Sequence, residues 1–178
     1  NGDVRSTVIF KYFGGLNAAA ASLVDASLVE QDTYRYGLKD RKDVDVQKLN
    51  IQTKAYLLGE SGFERVNFQQ SYRSNQTIRS TTIFYYEKSE VINGKTVLSE
   101  IDAAGAEEEA PIRRQEVFRG GSAPSALGVL DMATLGKLQS VSHLVGLSTE
   151  EKVDFQQNFR TNGDVRSTVI FKYFGGLN

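Results

Sequence analysis

Two related units, each an α-helix joined to an antiparallel β-hairpin and packed around a shared core, make up the α+β fold that this sequence predicts. Three observations lead there. Residues 64–86 (ERVNFQQSYRSNQTIRSTTIFYY) and 151–173 (EKVDFQQNFRTNGDVRSTVIFKY) match at thirteen of 23 positions. In both, apolar and polar residues alternate with the period of half-buried strands. Segments 16–30 and 125–145 instead space their apolar residues for one face of a helix. Finally, residues 1–17 and 162–178 are the same seventeen letters, NGDVRSTVIFKYFGGLN.

The terminal identity sets the organisation. The C-terminal copy continues upstream into the internally duplicated motif, whereas the N-terminal copy begins at the turn without its hairpin partner. Residues 1–17 therefore read as the terminal strand of a preceding repeat, or as an added donor strand. A first hairpin-helix unit follows at 18–91 and a second at 92–178. The period is 161 residues, the distance from Asn1 to Asn162.

Taken in order, Leu16–Glu30 predicts a helix capped by Asn17, with Leu16, Ala20, Leu23 and Ser27 on one face. Residues 43–58 alternate like a strand at Leu49, Ile51, Ala55 and Leu57, but their kinship with 130–145 favours a helix. The hairpin at 64–86 predicts a three-residue loop, Ser74-Asn75-Gln76, pairing Tyr72 with Ile78 and Val66 with Phe84. A second short hairpin turns at Asn93-Gly94. Gly105–Ser125 reads as a long loop with a short strand at 112–118. The pattern Leu127, Leu130, Leu138, Val141 and Val145 predicts a helix, weakened by Gly128 and Gly136.

The last hairpin pairs Phe159 with Val165, Phe155 with Val169 and Val153 with Phe171. Its loop places Gly163 at the left-handed position that a bulged three-residue loop requires. Gln76 holds that position in the first copy under mild strain. The expected core is Val66, Phe68, Phe84, Val153, Phe155, Val169 and Phe171.

Composition narrows the function classes. A chain of 178 residues with 40% hydrophobic and 24% charged residues is ordinary for a globular domain. A formal net charge of −1 argues against nucleic acid as a partner. No apolar run reaches the roughly 20 residues of a membrane-spanning helix, and no secretory signal is present. Without cysteine there are neither disulfides nor thiolate chemistry.

Catalytic chemistry is thin. His143 is the only histidine and aligns with Tyr56 of the first unit, which suggests a packing or surface position on a helix. Glu107, Glu108 and Glu109 lack the spaced pattern of a calcium loop. Gly14-Gly15 and Gly175-Gly176 lack the residues of a phosphate loop. Asn75-Gln76-Thr77 fits a glycosylation acceptor. No catalytic residue, metal site or cofactor is expected, and the reading is of a non-enzyme.

The strongest signal is the repeated strand. Val8, Ile9, Phe10 and Tyr12, with their twins Val169, Ile170, Phe171 and Tyr173, combine high β-propensity with a single charge. That is the profile of a segment seeking an edge. Lys11 reads as a gatekeeper against uncontrolled stacking. The expectation is a structural or interaction protein, one period of a tandem-repeat or strand-exchanging, polymer-forming assembly. Its partners are copies of itself, and an extracellular fibre or surface layer suits the design. The alternative is a carbohydrate- or anion-binding module on the hairpin's polar face, where Gln69, Arg73 and Arg79 recur as Gln156, Arg160 and Arg166 beside Thr81 and Thr168.

Overall fold

A computed structural model describes residues 4–37, 50–126 and 128–173. Its strands are β1 (Ser6–Tyr12), β2 (Leu28–Arg35), β3 (Asn50–Leu58), β4 (Arg65–Tyr72), β5 (Ile78–Ile92), β6 (Lys95–Ile101), β7 (Ile112–Arg119), β8 (Leu138–Val145), β9 (Lys152–Phe159) and β10 (Val165–Ile170). One α-helix, α1 (Ala18–Val24), and two 3-10 turns at Phe13–Gly15 and Met132–Thr134 complete the described elements. All ten strands join one antiparallel sheet in the order β1-β2-β3-β4-β5-β7-β8-β9-β10, with β6 pairing only the distal part of β5.

This overturns the α+β expectation. Among the described residues there is one short helix and one continuous sheet, not two helix-plus-hairpin units. The helix predicted over 16–30 starts where expected, with Asn17 Oδ1 accepting from the Ala20 N–H at 3.0 Å. It ends at Asp25, whose φ of 51° is left-handed, and the chain from Leu28 is strand β2. The helix predicted over 43–58 is strand β3 from Asn50 onward, and 43–49 lie outside the described residues. The helix predicted over 125–145 is a loop with a 3-10 turn followed by β8; Leu127 lies outside the described residues.

The hairpin loop forms as the sequence implies. The Arg73 N–H donates to Thr77 O and the Gln76 N–H to Arg73 O, repeated by Arg160 to Asp164 and Gly163 to Arg160. Gln76 (φ 63°) and Gly163 (φ 91°) both occupy the left-handed region. Tyr72 faces Ile78 and Phe159 faces Val165, but one residue beyond, both ladders shift. The bulges at Arg79 and Arg166 bring Phe68 opposite Ile83 rather than putting Val66 opposite Phe84. Phe155 meets Ile170 rather than Val169.

That shift decides the core. Tyr56, Phe68 and Ile83 form its centre, packed by Tyr85, Phe118, Leu130 and Leu135. The connection from β7 to β8 folds over them. It is tied by Gln70 Nε2 to Ser122 O (2.8 Å), Thr81 Oγ1 to Gly120 O (2.7 Å) and Asn67 Nδ2 to Gly128 O (3.0 Å). Gln70 and Thr81, both fully buried and opposite each other, are thereby hydrogen-bonded; unpaired, each would cost about 1–3 kcal/mol. Gly121 has to be glycine: at φ 126° a Cβ would lie 2.6 Å from Thr81 Oγ1.

The two halves of the sheet repeat a brace. Glu64 Oε1 accepts from the Leu28 N–H at 2.7 Å, opening β2, and Glu151 Oε1 accepts from the Ile112 N–H at 2.9 Å, opening β7. Tyr56 stacks on Phe68 with centroids 4.5 Å apart, as His143 stacks on Phe155 at 4.4 Å. His143 is thus an aromatic packing residue on strand β8, not on a helix.

Candidate functional site

The two copies of the repeated segment take the two margins of the sheet. β1 pairs only with β2, and β10 only with β9. In an extended strand, successive residues aim their N–H and C=O groups to opposite sides. The Arg5 carbonyl accepts from Tyr36 (3.0 Å) and the Phe13 N–H donates to Ser27 O (2.9 Å), so odd positions of the first copy face β2. In the second copy the Phe171 N–H donates to Asp154 O (2.9 Å), and Phe171 is the twin of Phe10. Even positions therefore face β9. The same sequence bonds through one edge at one end of the sheet and through the other edge at the opposite end.

β5, the diverged relative of both, uses both edges at once. It pairs with β4 on one side and β7 on the other. The Arg79 carbonyl accepts from the Gly120 N–H at 3.0 Å, repeating the Arg5–Tyr36 bond at the equivalent position.

An ionic cluster closes the β1–β2 seam. Lys11 Nζ lies 2.5 Å from Glu30 Oε1 and 2.7 Å from Asp32 Oδ2, and Lys54 Nζ approaches the same two carboxylates at 3.0 and 3.5 Å. Asp32 is fully buried and also accepts from the Tyr34 hydroxyl at 3.0 Å. Burial opposes charge on Asp32, but the hydrogen bond from Lys11 and the nearby cations win and hold its carboxyl below the usual range. Desolvation likewise pulls Lys11 down, and its bonds to Asp32 and Glu30 outweigh it, leaving the ammonium above the usual lysine range. Burial, reinforced by the Asp32 charge, pushes the Tyr34 hydroxyl up to about 12. Lys11 is therefore ion-paired to β2. Glu30 and Asp32 were missed in the sequence, although their alternation in VEQDTYR was the available signal.

Elsewhere in the first copy Val8 and Phe10 are half-open while Ile9 and Tyr12 are half-buried; in the second copy Val169, Ile170, Phe171 and Tyr173 are all exposed, Ile170 to 70%. Tyr173 donates from its hydroxyl to Val153 O at 2.9 Å.

The proposed polar face divides. Arg160 and Arg166 meet Arg119 and Lys137 around a cleft of about 660 Å³, also lined by Asn158 and Ser167. Arg73 and Arg79 line a smaller cleft of about 200 Å³ with Arg35. Gln69 and Gln156 reach neither; Gln156 is held by Asn158 (2.8 Å) and Ser142 (3.3 Å). The bulge turns Thr81 into the core, opposite Gln70. Arg119 and Lys137 join the cleft because Arg119 exchanges backbone bonds with Lys137 and Gly136, a contact between segments that no local pattern reveals.

Among the described residues no group of three histidines or carboxylates could hold a metal ion, and no helix is long and apolar enough to cross a membrane. Compared with the profiles of known families, with known proteins and with solved structures, the chain matches none.

Proposed function

We propose that this is a non-enzymatic structural and interaction protein, one period of a tandem-repeat or strand-exchanging assembly that joins copies of itself through the duplicated strand. In this reading 1–17 carries over from the preceding period, 18–91 and 92–178 are the two related units, and an extracellular or surface array is the setting. One observation carries it: identical segments lie at the two margins and bond through opposite edges, so one strand can serve both neighbours. Deleting residues 1–13 uncovers the β2 edge and leaves β10 to fill it in another molecule. The truncated protein should associate with rising concentration in size-exclusion chromatography while the full chain does not. A folded truncated protein that stays monomeric at every concentration overturns the reading.

The basic cleft supports a second reading, an anion- or glycan-binding module. Four cationic side chains line one opening in a chain whose overall charge is −1. Replacing Arg160 and Arg166 together with glutamine should abolish retention on a heparin column without changing assembly. Unchanged retention dismisses it.

A further inference from the structure

We infer that the outer edge of β10 is the docking site for β2 of a second copy, in the register that β1 adopts on β2, with Lys172 seated between Glu30 and Asp32 of that copy. The inference rests on the self-association reading and specifies its joint. Three independent features of the fold agree on it.

The first is backbone parity. The edge of the repeated segment that binds β2 in the first copy is the edge that β10 turns away from β9. The incoming strand therefore meets unsatisfied N–H and C=O groups already in phase. The second is the side chains. Thr7, Ile9 and Lys11 lie opposite Tyr34, Asp32 and Glu30, and their twins Thr168 and Ile170 lie opposite Gln157 and Phe155 on β9. Since positions of one parity share a face, Lys172 presents its amine on the side from which Lys11 reaches its acids.

The third is the internal precedent. β5 is a relative of the same strand with both neighbours in place. Where Lys11 reaches Glu30 and Asp32, the equivalent Tyr85 donates its hydroxyl to Glu116 of β7 at 3.1 Å. The joint between copies repeats an arrangement the protein already builds at the middle of its sheet. Among the described residues Lys172 has no carboxylate within 4 Å, whereas its twin Lys11 has two. Charge and register then set each other. A slip by one residue would turn Lys172 to the opposite face and leave the buried Asp32 with one fewer cation.

The test is a tandem chain in which residues 18–178 follow directly on Asn178, so that one strand serves both copies without competition. Val169 and Thr33 would face each other there as a non-hydrogen-bonded pair, the twin of Val8 opposite Thr33. Cα atoms of such a pair are about 4.5 Å apart, within disulfide reach. Val169→Cys in the first copy with Thr33→Cys in the second should oxidise to one internal cross-link, found by mass after proteolysis. The shifted pair Thr168→Cys with Thr33→Cys should not.

A second measurement needs no cross-link. Lys172→Glu in the first copy of the tandem chain should lower its urea midpoint, and Lys172→Glu in the 178-residue chain should leave it unchanged. Equal cross-linking of both cysteine pairs, or equal midpoint shifts in the two chains, overturns the joint. Association of the 1–13 deletion would then still support self-assembly, by another geometry. Loss of that association removes the reading and the joint together.

Discussion

As β1, the repeated segment has Lys11 held by two carboxylates and Ile9 half-buried; as β10, the same letters leave Ile170 70% exposed and the corresponding lysine without such partners among the described residues. The sequence is constant, so neither β-propensity nor side-chain chemistry accounts for the contrast. The neighbour does. A strand's burial and the ion pairs of its lysine are properties of the pair it joins: β2 sets Asp32 and Glu30 opposite Ile9 and Lys11, whereas β9 sets Gln157 and Phe155 opposite Thr168 and Ile170.

Removing the acid at the centre of that difference should have the largest effect. Asp32→Ala strips Lys11, Lys54 and the Tyr34 hydroxyl of their shared partner. It should cost about 2–3 kcal/mol by urea unfolding, reduced from the fully buried case because both lysines are partly exposed. The same substitution at Asp164, beside β10, should cost less than about 0.5 kcal/mol.

Acidity breaks the contrast without mutation. The depressed Asp32 carboxyl contributes stability that is complete above about pH 4 and is lost as the pH falls through its folded value. The raised Lys11 contributes below about pH 10 and is lost as the pH rises through its folded value. Amide exchange should therefore show β1 losing protection at both extremes, with little change in β10. Equal loss in both strands would mean that the ionic cluster does not secure the seam.

A direct comparison of twins is gentler. Lys11→Met should destabilise by about 0.5–1 kcal/mol and Lys172→Met by less than half of that, measured side by side in urea. Smallest is the hairpin contrast. Gln76→Gly should stabilise by up to about 1 kcal/mol by relieving a left-handed glutamine, while Gly163→Ala should destabilise by a similar amount.

Local chemistry was readable where it is local. The capping asparagine, the Asn93-Gly94 turn and the left-handed loop positions follow from residues a few places apart, and the duplicated hairpin was evident from its letters. The helices predicted at 43–58 and 125–145 fail for different reasons. In β3 the strand-like alternation of Ile51, Ala55 and Leu57 was outweighed by the kinship with 130–145. In β8 Val141, Ser142 and Leu144 are all buried, so the run lacks a clean two-residue alternation. Leu130 contributed to an apparent helical stripe because its loop packs onto the Tyr56, Phe68 and Ile83 cluster. The bulges at Arg79 and Arg166 shift each ladder by one residue, which moved Ile83 into the core in place of Phe84. Of the β1–β2 seam, the strand was legible and its acidic partners were not, since Glu30 and Asp32 gain meaning only when β1 lies beside them.

β5 runs on past the main sheet, and its distal half pairs only with β6, leaving Val91, Ile92, Val97 and Leu98 exposed on a projecting ribbon. Nine strands form the main path, and under the proposed sharing of one strand between neighbours each period would hold eight. At about 4.8 Å per strand each period would advance roughly 38 Å. Stacked end to end, such molecules would carry a greasy spine at that interval, visible as cross-striation under the electron microscope and available for neighbouring filaments to grip laterally.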